Sequence, residues 1–179
     1  MNILDQNNIS AREYIICAFM DLLEIKRFEQ ISVKEIVKKA GISRSTFYLH
    51  FHDKYELMEK VRESITSTFL SFYDTDRIVK ATLPSINNTT YKLCEHVYQY
   101  RSFYKYEFEK AEYIQNLSDA LALKLMKVYP EKSYAIFASF GTIGYLKFWV
   151  EDKFSISTED AAKQLMNIGK TNWSKYNLI

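Results

Sequence analysis

The segment from Ser32 to Lys54 constrains the fold of this chain more than any other, because it reads as two short helices joined by a tight turn. Ser32 and Glu35 have the spacing of a capping box, in which the serine caps the first helical turn and the glutamate returns to the serine amide. Gly41 can adopt the positive φ at which helices commonly end. Ser43 then opens a second helix. The pattern predicts a helix-turn-helix.

The apolar residues of this segment indicate which side of each helix packs inward. Residues spaced three and four apart share one face of a helix. In the second helix Phe47 and Phe51 are four apart, so we expect both to pack beneath it. The first helix has its own inward face, made of Val33, Ile36, Val37 and Ala40.

The opposite face of the second helix predicts DNA recognition. Arg44 can donate two hydrogen bonds to a guanine, and Leu49 can contact a thymine methyl group. Lys54 begins the next helix, where free amides favour a phosphate. Residues 32–54 hold five Lys or Arg against two acids, a local net charge of +3 in a chain whose total is +2. The predicted DNA-binding residues are Ser32, Ser43, Arg44, Ser45, Thr46, Tyr48, Leu49, His50 and Lys54.

These residues resemble the TetR family of bacterial transcriptional regulators, whose turn of Gly, hydrophobic and Ser is followed by Tyr-x-His-Phe-x-x-Lys-x-x-Leu. The resemblance implies an all-α fold, with a three-helix DNA-binding head and a larger helical ligand-binding and dimerisation body. It also implies a homodimer that binds a palindromic operator in double-stranded DNA, as a repressor released by a small apolar or aromatic effector. The matching residues are Gly41, Ile42, Ser43, Tyr48, His50, Phe51, Lys54 and Leu57.

A second resemblance keeps an alternative open. From about Asn88 onward, with Trp149 before a charged turn, the chain is similar to the branch of TetR-like regulators that includes the activator of dihydroxyacetone kinase operons. That resemblance implies a body that docks a protein co-regulator and acts as an activator, without a small-molecule pocket. A polar-lined cavity in the body favours the repressor, and a filled core with an exposed apolar patch favours the activator.

Other helix signals set the domain organisation. Ser10 with Glu13, and Ser157 with Asp160, repeat the capping-box spacing, while residues 1–9 are expected to form a mobile arm. A long helix should run from the motif to a break at residues 73–88. We predict a DNA-binding domain over residues 1–55 and an effector-binding and dimerisation domain over residues 56–179.

The resemblance to the TetR family implies that the last two long helices of each subunit pair across a two-fold axis. The helix beginning at Lys132 and the helix capped by Ser157 are therefore predicted to form the dimer interface. Small residues at three-residue spacing let a second helix approach closely, and the rest of this helix is apolar on most sides. The alternative is an ordinary core helix within one subunit. The predicted interface residues are Ala138, Gly141, Gly144, Phe148 and Leu165.

The aromatic residues of the body offer a candidate effector pocket. With 14 Tyr and 12 Phe in the chain, many hydroxyl groups need partners when they are buried. The alternative is ordinary core packing. The predicted pocket residues are Tyr91, Tyr98, Tyr104, Phe108, Tyr134 and Phe137.

Several classes of function are disfavoured. The three histidines have no metal-site spacing, and no phosphate-binding loop or nucleophile elbow is present, so we expect no metal, no cofactor and no enzyme. Cys17 and Cys94 lie in apolar segments and are expected to be buried thiols. The apolar stretch 134–150 is shorter than the ~20 residues that span a bilayer, and the N-terminus lacks a signal peptide, so we expect a cytoplasmic protein without a membrane partner.

Overall fold

The computed structural model describes residues 10–74 and 85–170, the side chains of residues 85–88 excepted, and these residues are helical with no strand among them. The chain divides into two compact units, Met1–Ser64 and Ile65–Ile179. The division after Ser64 comes later in the chain than the predicted boundary after residue 55. That predicted boundary stays a prediction. The expected arm at residues 1–9 and the core of the expected break, residues 75–84, lie outside the described residues.

The first unit, here called the head, contains three helices and the start of a fourth. The second unit, the body, contains the rest of that fourth helix and five more among the described residues. The head has α1 (Ala11–Ile25), a 3-10 turn (Phe28–Gln30), α2 (Val33–Ala40), α3 (Arg44–His50) and α4 (Lys54–Ser71), which continues into the body. The body has α5 (Ser85–Gln99), α6 (Arg101–Glu107), α7 (Ala111–Leu125), α8 (Lys132–Glu151) and α9 (Thr158–Lys170).

The local helix signals of the head are confirmed. The Ser10 hydroxyl accepts from the Glu13 amide at 3.3 Å, and the Glu13 carboxylate accepts from the Ser10 amide at 2.7 Å. Ser32 and Glu35 form the same reciprocal pair, at 3.3 and 3.0 Å. Gly41 ends α2 with φ 68°, a left-handed conformation that costs glycine little. Short-range chemistry therefore fixes where these helices begin and end.

The core beneath α3 is also as predicted. Phe47 is fully buried and Phe51 is 2% exposed, and their ring centroids lie 5.9 Å apart. Ile36 of α2 and Phe19 of α1 are fully buried in the same unit. The three helices share one apolar centre, which leaves the polar side of α3 outside.

The turn between α8 and α9 is held by a tryptophan. Trp149 is buried, its indole Nε1 donates to the Ile156 carbonyl at 3.1 Å, and Phe154 packs on it edge-on at 4.9 Å. Ser157 caps α9 by accepting from the Asp160 amide at 3.1 Å, as its spacing predicts. The end of α8 and the start of α9 are thus fixed relative to each other.

The two cysteines differ from each other. Cys94 is fully buried, as expected, and burial raises the pKa of its thiol to about 12. Cys17 is exposed, so the prediction for it was wrong. It lies on the outer side of α1, where an apolar-looking sequence run does not reveal which way each residue points. Among the described helices, none is long and apolar enough to cross a membrane.

An ion pair links α2 to the residue that ends α1. The Lys26 ammonium donates to the Glu35 carboxylate, which also accepts hydrogen bonds from the Ser32 hydroxyl, at 2.9 Å, and from the Ser32 amide. These bonds, with the one from Lys26 foremost, lower the pKa of Glu35 to about 2. Because the folded-state pKa lies below the ordinary value of 4.5, the stabilisation is complete above pH 4.5 and is lost as the pH falls towards 2.

We expect Glu35→Gln to lower the melting temperature of the protein at pH 7. The difference from wild type should shrink as the pH is lowered from about 4.5 to about 2, because wild-type Glu35 then becomes neutral as well. Thermal unfolding followed by circular dichroism across this range measures the effect, with Glu109→Gln, an exposed body residue, as control. A difference that is independent of pH would contradict the assignment.

Candidate nucleic-acid interface

Helix α3 carries a continuous exposed face. Arg44, Ser45 and His50 are exposed, Tyr48 is 46% exposed, and Leu49 at 83% is among the most exposed apolar side chains described. A large apolar residue left in water at such a position marks an interaction surface more often than a folding requirement. This face combines a guanidinium, hydroxyl groups and an apolar contact, which are the groups that read base edges in the major groove.

The start of α3 is held by Ser43. Its hydroxyl accepts from the Thr46 amide at 3.0 Å and lies 2.7 Å from the hydroxyls of both Ser45 and Thr46. Ser32 is likewise engaged with Glu35 as the cap of α2. Ser32 and Ser43, two of the three predicted DNA-binding serines, therefore have a structural role as helix caps.

Arg44 is positioned by its neighbour one turn later. Its Nη2 donates to the Tyr48 hydroxyl at 3.3 Å, and the guanidinium carbon lies 5.7 Å from the centre of the Tyr48 ring. A guanidinium has five N–H donors in a planar fork, so a single bond to Tyr48 leaves capacity for a guanine edge. The contact restricts the long arginine side chain before any DNA is present.

Thr46 and His50 lie at the edge of this face. Thr46 is half-buried through its cap contact, and the His50 ring lies 6.5 Å from that of Phe51 while remaining exposed. Their contact with DNA stays a prediction.

The predicted phosphate role of Lys54 needs correction. Its ammonium donates to the carbonyls of Phe28, Glu29 and Ile31 at 2.9, 2.9 and 2.8 Å. An ammonium has three N–H donors, so these bonds leave none for a phosphate. The lysine instead caps the carbonyl end of the 3-10 turn, where a positive charge is stabilising. The motif showed where Lys54 lies in sequence, but not that a turn some 25 residues earlier folds onto it.

Two cations absent from the predicted DNA-binding residues lie on or beside the motif helices. The Arg12 guanidinium of α1 lies 5.6 Å from the ring centre of Phe51, next to the end of α3. Lys39 of α2 pairs with Asp21 of α1 at 2.9 Å. Arg12 is exposed and adds a positive charge next to the candidate interface. No sequence signal points to it, because the helix-turn-helix pattern begins twenty residues later.

Helix α8 has one buried face and one exposed face. Ala135, Ile143 and Leu146 are fully buried, whereas Phe137 is 68% and Phe148 60% exposed. Gly141 and Gly144 lie on the exposed side, and a Cβ built at either would meet nothing within 4 Å. The predicted interface residues Ala138 and Leu165 are half-buried. The subunit therefore leaves the apolar side of α8 uncovered.

The six predicted pocket residues do not form one internal site within the subunit. Tyr104 and Phe108 are buried with ring centroids 5.2 Å apart. Tyr134 and Phe137 point outward from α8, at 57% and 68% exposure, so they cannot line an internal cavity of the subunit. The other two are also partly exposed, Tyr91 at 38% and Tyr98 at 46%, and the Tyr98 ring packs against Phe154 at 5.3 Å.

The buried core of the head leaves the polar side of α3 exposed. This is the arrangement found in helix-turn-helix DNA-binding proteins, whose second helix lies in the major groove. Residues 15–61 match the family model described as bacterial regulatory proteins, tetR family. This region is therefore similar to the N-terminal region of that family, and the expected resemblance is confirmed.

The curated relatives agree with that assignment. An uncharacterised helix-turn-helix transcriptional regulator of Bacillus subtilis, YxbF, is 22% identical over 172 residues, covering 89% of this chain and 44% of the relative. The dhaKLM operon transcriptional activator DhaS of Lactococcus lactis is 36% identical over 59 residues, covering 33% of this chain and 32% of DhaS. The aligned residues thus span less than half the length of either relative.

Solved structures extend the likeness to the body. A transcriptional regulator from Aquifex aeolicus VF5 superimposes with a TM-score of 0.72 at 22% identity, covering 90% of this chain and 98% of that one. A structure of the dihydroxyacetone kinase operon activator DhaS gives 0.64 at 21% identity, covering 89% and 94%. At these identities the likeness concerns the fold. The all-α prediction is confirmed by this likeness.

Replacing Lys54 by methionine should destabilise the protein by about 1–3 kcal/mol, because three backbone carbonyls lose their charged donor while the apolar stem is kept. Thermal or denaturant unfolding measures the change. Lys34→Met, at an exposed position of α2, removes the same charge and should have little effect. A Lys54→Met variant that is as stable as wild type but binds DNA more weakly would support a phosphate-binding role for Lys54 instead.

Proposed function

We propose that this protein is a DNA-binding transcriptional regulator that reads a two-fold operator as a homodimer. The observation that carries the proposal is the exposed face of α3, in which Arg44 is held by Tyr48 and Leu49 lies open to water. This face presents the donors and the apolar group that base recognition needs.

Dimerisation follows from how little DNA one head can read. A seven-residue helix contacts only a few base pairs, so useful discrimination needs two heads. The uncovered side of α8, with its two open glycines and exposed phenylalanines, offers a surface for a second copy. A two-fold dimer reads a near-palindrome, with half-sites about one helical turn, roughly 34–36 Å, apart.

The sign of regulation has two candidates. In the first, a small apolar or aromatic effector binds the body and releases the protein from its operator, as a repressor. The second is favoured by the 36% identity to DhaS over 59 residues, since that relative is an activator. In that case the body docks a protein co-regulator and needs no effector.

The operator can be found by selecting duplexes from a randomised pool with the purified full chain. We expect a near-palindromic site. Arg44→Ala should weaken binding to the selected site by about 1–3 kcal/mol and relax the preference at one position in each half-site. Lys38→Ala removes an equal charge from an exposed position of α2 and should weaken operator and random DNA alike. Equal losses on both DNAs for Arg44→Ala, or selection of asymmetric sites, would sink the proposal.

Gly141→Leu should abolish the dimer while leaving the helical fold intact. The position has open space for a side chain within the subunit, so a leucine disturbs only a partner that approaches closely. Sedimentation gives the mass and circular dichroism the helix content. Asn116→Leu, at an exposed position of α7, adds a similar side chain and should leave the dimer unchanged. A Gly141→Leu dimer of normal mass would place the interface elsewhere.

A further inference from the structure

The body contains a buried polar pair, His96 and Tyr104, in which one polar atom of each side chain lacks a hydrogen-bond partner. His96 is 4% exposed, Tyr104 is fully buried, and their ring centroids lie 5.9 Å apart. Within the part of the chain that the structure describes, His96 Nε2 and the Tyr104 hydroxyl form no hydrogen bond. Native proteins pair nearly all buried polar atoms, so each exception requires an explanation, such as a bound molecule.

The hydrogen-bonding state of His96 follows from its other nitrogen. The ring bonds to the backbone of Ile65 in α4, and because Nε2 has no partner, Nδ1 is the nitrogen that donates to the Ile65 carbonyl. Burial lowers the pKa of His96 to about 4, and the hydrogen bond to Ile65 has a smaller effect that raises it. The ring is therefore neutral near pH 7, and the Nε2 lone pair is a hydrogen-bond acceptor.

The surroundings of the pair are aromatic. The His96 ring lies 5.6 Å from Phe72, 6.3 Å from Phe69 and 4.9 Å from Tyr100, measured between ring centroids. Burial, Tyr113 and Tyr100 raise the pKa of Tyr104. No ammonium, guanidinium or carboxylate is among the groups that shift the pKa of either residue. The pair thus combines a neutral acceptor and a hydroxyl within an apolar, aromatic shell.

We infer that His96 and Tyr104 form the polar end of a buried ligand site, and that its ligand is a small neutral molecule with an apolar or aromatic body and one O–H donor. The ligand hydroxyl donates to Nε2 and accepts from Tyr104, which satisfies both unpartnered atoms. An anion is disfavoured, because burying its charge without a cation costs far more than a hydrogen bond returns. The inference rests on the proposed function only in that this ligand would be the effector of the repressor.

Direct binding to the full chain tests the ligand class without DNA. The probes are phenol, toluene, which has a methyl group in place of the hydroxyl, and benzoate, which is charged. We expect phenol to raise the melting temperature and to bind about tenfold more tightly than toluene in calorimetry, with no detectable binding of benzoate. Equal affinity for phenol and toluene, or tighter binding of benzoate, would overturn the inference.

Two tyrosine variants provide the matched control. Tyr104→Phe removes an unpartnered hydroxyl, so the unliganded variant should melt at the same temperature as wild type or higher, while phenol affinity falls about five- to tenfold. Tyr113→Phe removes a hydroxyl that lies 3.0 Å from the Thr66 hydroxyl, so it should lower the melting temperature and leave phenol affinity unchanged. If Tyr104→Phe melts at a lower temperature and binds phenol normally, the Tyr104 hydroxyl binds an ordered water molecule and not the ligand.

Failure of this inference is distinguishable from failure of the proposed function. Phenol that binds at Tyr104 but leaves operator affinity unchanged establishes the ligand class and refutes the effector role. Loss of operator discrimination in Arg44→Ala, with no binding of phenol, supports the DNA-binding function and overturns the ligand site.

Discussion

The packing of Phe47 and Phe51 beneath α3 is the contact on which the proposed DNA-binding face depends. A helix of seven residues does not persist in water by itself, because so short a helix does not repay the cost of nucleation. The two buried rings hold its inner side, and the Ser43 hydroxyl satisfies an amide of its first turn. The outer side chains, Arg44 foremost, are then presented by a rigid surface instead of a fluctuating one.

The features that sequence reasoning predicted well are those determined by near neighbours. Capping boxes involve residues three apart, and the αL conformation of Gly41 follows from the missing side chain, so both can be read from a short stretch. The burial of Phe47 and Phe51 follows from helical periodicity in the same way. A family signature spanning Gly41 to Leu57 added the class of protein and its fold.

The features that sequence reasoning missed depend on distant parts of the chain. Lys54 donates to carbonyls 23 to 26 residues earlier, which no local pattern encodes. Cys17 and Phe137 lie in apolar runs, but their exposure depends on which side of a helix faces the core. Composition gave the aromatic richness of the body without showing that His96, omitted from the predicted pocket, lies next to Tyr104 with an unpartnered nitrogen.

Helix α4 contributes to both units and carries a side-chain-to-carbonyl hydrogen bond in each. Its first residue, Lys54, caps the 3-10 turn of the head, and within the body the Ile65 carbonyl accepts from His96. A ligand hydroxyl that donates to Nε2 makes the imidazole N–H a stronger donor towards Ile65, since hydrogen bonds in a chain polarise one another. If the ligand changes affinity for DNA, the coupling free energy, typically about 1–3 kcal/mol, acts equally in the other direction. DNA must then change affinity for the ligand by the same factor. Titrating the ligand with and without operator DNA therefore measures the coupling free energy, and the regulated gene need not be known.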